Sequence, residues 1–81
     1  MKLKANFVFE TEEAKAIYHS VLPELEDNFS ERSQIALKLQ KEPQSLVLNV
    51  WAEDVVSMRS ALNTWFRLLQ IAQEVAETTT K

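Results

Sequence analysis

The chain has 81 residues, with nine Lys and Arg against twelve Asp and Glu and a formal net charge of -3, so it is one small domain near the size at which a single core gives marginal stability and association often supplies the rest. The acidic balance argues against a stand-alone nucleic-acid binder held by a broad basic field, though a local basic edge remains compatible with it. The absence of cysteine removes disulfides, thiolate metal sites and a cysteine nucleophile, and the absence of glycine removes the phosphate-cradling loops of P-loop and Rossmann type and the GXXG clamp of KH domains.

The first element is "KLKANFVF", in which Leu3, Ala5, Phe7 and Phe9 alternate with Lys2, Lys4, Asn6 and Val8, the signature of a half-buried strand. Lys2 and Lys4 precede only "ANFVF", too short for a signal-peptide core, and no apolar run reaches the ~18 residues of a membrane span. A cytoplasmic (or nuclear) protein with no membrane partner is expected. Thr11 followed by Glu12 and Glu13 reads as an N-cap with acids in the first helical turn. Ala14, Ile17, Tyr18, Val21, Leu22 and Leu25 then form one stripe of roughly 140°, and the helix is expected to end near Pro23. "EDNFSERS" is a polar connection.

"QIALKLQ" turns Ile35, Leu37 and Leu39 inward, "SLVLNVW" does the same with Leu46, Leu48 and Val50, and "KEPQ" between them makes a hairpin. A strand, a helix and a hairpin make a split βαβ unit, in which the first two strands run parallel with the third inserted antiparallel between them. The expected fold is therefore α+β, β-α-β-β-α, with a three-stranded sheet of order 1-3-2 and both helices on one face. One domain over residues 1–77 and a polar tail over 78–81 complete the organisation.

The last element, "AEDVVSMRSALNTWFRLLQIAQEV", has too many apolar residues for one helix face. Placed every 100°, they sweep roughly 220°, whereas a helix lying on one sheet needs a little over ~100°. About 24 residues at 1.5 Å also give ~36 Å of helix, against ~23 Å for a seven-residue strand, so the C-terminal half is expected to overhang. Leu62, Val55 and Phe66 are assigned to the sheet. Ala61, Trp65, Leu68, Ile71, Ala72 and Val75 are the candidate partner-binding residues, because a large exposed apolar patch on a small domain marks an interface and small residues admit a second helix. A homodimer is expected.

"LNVWAEDVVSMRSALNTWFRLLQIAQEV" resembles the signature of the CTAG/Pcc family, the small subunit of the KEOPS complex. Ala52, Glu53, Asp54, Met58, Arg59, Ala61, Leu62, Asn63 and Glu74 carry the pattern, with "VLPE" at Val21 to Glu24 and "RS" at Arg32 and Ser33 beside it. The resemblance implies a non-catalytic subunit that dimerises and binds the catalytic subunit of the machine placing threonylcarbamoyl on adenosine (t6A) in tRNA, with tRNA reached through the assembled complex. Arg32, Arg59, Asn63 and Arg67 are candidate polar contacts to tRNA or a partner, and the resemblance adds weight to Arg59 and Asn63.

Catalysis finds little support. His19, the one histidine, falls opposite the apolar stripe of its helix, and no second histidine exists for a metal site. Glu12/Glu13 and Glu53/Asp54 are adjacent acids at helix starts, where they compensate the dipole, and no nucleophile has an oriented base. No cofactor is expected. Lys2, Lys4, Lys38 and Trp51 share the outer face of the sheet and offer cations with a stacking surface. A free-standing KH-like RNA- or DNA-binding domain is the alternative function, although neither a glycine clamp nor a positive balance is present.

Overall fold

The computed structural model describes residues 2–27 and 31–79. Strand β1 (Leu3–Glu10) is followed by helix α1 (Ala14–Asp27), strands β2 (Ser33–Lys41) and β3 (Gln44–Ala52), and helix α2 (Val55–Thr79). The sheet has the expected order β1-β3-β2, with β3 antiparallel to both neighbours. Registration brings inward residues into rows across the sheet: Ala5, Val50 and Ile35; Phe7, Leu48 and Leu37; Phe9, Leu46 and Leu39. These rows join the inner stripes of both helices in one apolar core. The period-2 alternation of the strands thus places the helices on a single face.

Both helices begin on side-chain caps. Thr11 Oγ1 accepts from the Glu13 N–H at 3.2 Å, and the Thr11 N–H donates to the Gln44 carbonyl, fastening the start of α1 to the end of the hairpin. Asp54 Oδ1 accepts from the Ser57 N–H at 2.7 Å at the start of α2. In the hairpin, buried Ser45 has its hydroxyl within bonding reach of Gln40 Oε1 and the Pro43 carbonyl, so that hydroxyl is not left without a partner.

Four sequence expectations need adjustment. Helix α1 does not end at Pro23 but runs through it to Asp27. Pro23 is exposed, so the bond it cannot donate, to the His19 carbonyl one turn back, is lost on the solvent side, while Leu25 beyond it still packs on the core. Second, α2 does not leave its C-terminal half bare: Leu69, Ala72 and Ala76 are buried in the cluster that also holds Ala14, Ile17 and Val21 of α1. The first turns of α1 support what the sheet cannot reach. Third, Leu62, Val55 and Phe66 are not the centre of the buried face. Val55 is 61% exposed and Phe66 37%, whereas Trp65 is 2% exposed and occupies the centre. Finally, α2 continues to Thr79, into the segment read as a tail. Of the polar connection after α1, residues 28–30 lie outside the described residues.

Candidate interaction surfaces

Each surface follows from how the helices lie on the sheet. Helix α1 sits over β2 and β3, α2 over β3 and β2, and the two helices touch one another. The burial pattern of α2 repeats at Ala61, Trp65, Leu69, Ala72 and Ala76, spacings of four, four, three and four that define one stripe. The 220° of apolar arc exceeds this stripe on both sides.

On one side lie Leu68, Ile71 and Val75. Leu68 is half-buried against the core, whereas Ile71 is 52% and Val75 55% exposed. Of the six partner-binding candidates, Ala61, Trp65 and Ala72 are therefore interior residues of the chain itself. Small residues at 61 and 72 let α2 come close to its own sheet and α1, which periodicity alone does not distinguish from approach by a foreign helix.

On the other side lies Phe66. With both helices displaced toward β2, the inner side chains of β1 have little above them, and Phe66 is the main cover: its ring meets Phe7 edge-on at 4.9 Å between centroids and Phe9 at 6.1 Å. This edge-to-face geometry is the favoured aromatic arrangement. Beside it a groove of about 360 Å³ runs between β1 and α2, floored by Phe9, Leu46 and Leu69 and rimmed by Glu10, Gln70 and Gln73. Sequence reading missed this groove. Phenylalanines two apart on a strand were its only signal, and it becomes a groove only because the helices are off-centre.

The polar candidates fall into two groups. Arg59, Asn63 and Arg67 are exposed and successive at four-residue spacing on α2, so they line one solvent-facing strip with about 12 Å of rise from first to last. Arg32 stands apart, at the start of β2. Its Nη2 donates to Asp54 Oδ2 at 2.9 Å, and its carbonyl accepts from the Glu53 N–H at 3.0 Å. The Ser57 N–H holds the Asp54 carboxyl below its ordinary value of 3.8, with the Ser57 hydroxyl and the Arg32 charge adding to the effect and partial desolvation opposing it. Arg32, Glu53 and Asp54 thus form a structural clasp between β2 and the start of α2. Among the described residues no group of His, Cys, Asp or Glu is arranged to hold a metal, and no helix is long and apolar enough to cross a membrane.

The sequence model of the family described as transcription factor Pcc1 matches residues 2–77, nearly the whole chain. The chain belongs to the Pcc1 family. This is a family of KEOPS subunits, and the resemblance carried by Ala52 to Asn63 is thereby placed on firm ground. In this member the motif residues divide by role: Asp54 caps α2, Ala61 packs in the core, and Arg59 and Asn63 face solvent. No individual curated protein matches the chain closely enough to serve as a named relative.

Proposed function

We propose that the chain is a non-catalytic dimerisation and scaffold subunit of a KEOPS complex, and that it supports t6A modification of tRNA by binding the catalytic subunit. The observation that carries this reading is the apolar flank of Leu68, Ile71 and Val75 on a helix whose core-facing stripe is already satisfied. Side chains of this kind gain from burial at ~25 cal/mol per Å², and the neighbouring Arg67 supplies a polar rim of the kind interfaces carry. The flank therefore suits a helix of the catalytic subunit. Self-association has different support. β1 is an edge strand with half-buried inner residues Ala5, Phe7 and Phe9, the last of which lines the groove, and a second copy could both continue the sheet and cover them. In this reading tRNA is reached in the assembled complex and the subunit works in the cytoplasm.

The test is co-expression of the full chain with the catalytic subunit of a KEOPS complex. A stable complex is expected, together with a mass of twice 9.4 kDa for the chain alone by light scattering. Failure to co-purify would remove the scaffold reading, and a monomer persisting at high micromolar concentration would remove the dimer.

A further inference from the structure

The outer face of the sheet has no helix on it, and its charge runs against that of the chain. Reading across the register, Lys4, Trp51 and Gln34 form one row, Asn6, Asn49 and Ala36 the next, then Val8, Val47 and Lys38, and last Glu10, Ser45 and Gln40. Lys2 precedes β1 in the same alternation. Within the strands this face carries two lysines and one carboxylate, Lys4 and Lys38 against Glu10, and the alternation that adds Lys2 at its end adds Glu53 beside it, on a chain whose net charge is -3. Glu10 lies six residues along β1 from Lys4, about 20 Å away. The other acids near the Trp51 end, Glu53 and Asp54, lie beyond β3, and Asp54 is engaged by Arg32.

At the basic end, Trp51 is half-buried and Lys4 Nζ stands 5.4 Å from the centroid of its ring. A cation at this distance is held by the ring quadrupole. The Asn6 amide donates to Asn49 Oδ1 in the adjoining row, which steadies the middle of the face. The arrangement is a π-surface with a movable cation, Lys4, above it and two further cations, Lys2 just before β1 and Lys38 on β2.

We propose that this open face binds single-stranded nucleic acid, with a base stacking on Trp51 and the backbone phosphates drawn to Lys2, Lys4 and Lys38. Stacking requires an unpaired base, and no element projects from the face to enter a duplex groove, so a single strand is the ligand. Lys4 moves from the ring to a phosphate when a base takes its place. With two or three phosphates neutralised, the log–log salt slope is about -2, and affinity for the isolated chain is low except at low salt. This site is independent of the scaffold reading, because it lies on the opposite face of the sheet from the Leu68, Ile71 and Val75 flank.

The experiment is titration of the full chain, without any partner, with a labelled single-stranded oligouridylate at low salt, read by anisotropy and by tryptophan emission. Trp65 is interior, so a change in emission reports Trp51. Binding is expected, with quenching, and Trp51→Ala weakens it at least ~5-fold, the lower end of what one stacked base contributes. Trp51→Phe restores most of the affinity. Lys38→Glu, an exposed change on an edge strand that leaves the fold intact, also weakens binding, whereas Lys15→Glu on α1 does not. No binding at low salt, or binding unaltered by both Trp51→Ala and Lys38→Glu, overturns the proposal. So does equal binding of polyglutamate, which would make the face a docking surface for acidic protein segments.

Discussion

Asp54 caps α2 and is clasped to Arg32 at the start of β2, so its charge is tied to both contacts. Because the native carboxyl is held below 3.8, folding favours its ionised form. That contribution is complete above the ordinary value and is lost as pH falls through the lower native one. Thermal melts between neutral pH and about pH 3 should therefore show the wild-type chain losing its advantage over Asp54→Asn, which keeps a capping oxygen but has no proton to take up. Equal acid sensitivity in the two would remove Asp54 as the linked group. Trp65 makes the opposite kind of contribution, from volume rather than charge. Trp65→Ala should cost about 3–5 kcal/mol, much of the 5–15 typical of a whole domain, and chemical denaturation should find the variant at the edge of folding. The cap at Asp54 was legible in the sequence as an acid before a helical run. Its partnership with Arg32 was not, because 22 residues separate them and only the β2–β3 hairpin brings them together. Arg32, read as a contact for RNA or a partner, proves also to be part of that clasp.

At the scale of one helix, periodicity measures how wide an apolar arc is but not where its centre points. The 220° sweep of α2 was visible in the sequence. The division into a core stripe through Trp65 and flanks at Ile71/Val75 and Phe66 depends on the placement of α1 and the tilt across β3, which no spacing records. The useful contrast therefore lies between residues two positions apart. Leu69→Glu puts a charge into the core and should leave the chain unfolded by circular dichroism. The double change Ile71→Glu and Val75→Glu alters residues already half in water, so its melting temperature should stay within a few degrees of wild type while capture of the catalytic subunit falls at least ~10-fold. If the double variant folds and binds undiminished, the flank is solvated surface and no interface. If it unfolds as Leu69→Glu does, these residues belong to the core.

Across the whole molecule, topology was the most legible property. A hairpin fixes β3 beside β2, and the crossover from β1 to a parallel β2 leaves a gap one strand wide, so the order 1-3-2 follows from the element sequence. The groove beside Phe66 was not legible, since it arises from both helices lying off-centre. A chain of this size gains from covering that groove and the β1 edge together, so thermal stability should depend on concentration. Dilution from high to low micromolar should lower the melting temperature of a dimer by several degrees and leave that of a monomer unchanged.

The middle of the sheet belongs to the strand synthesised last. A ribosome that has made residues only as far as Pro43 holds β1 and β2, which are not neighbours in the finished sheet. Neither has a place to pair until β3 emerges and slots between them. Sheet formation is thus tied to completion and emergence of Gln44 to Ala52, and a chain lacking that segment has two apolar strands with open edges and no central strand to close them.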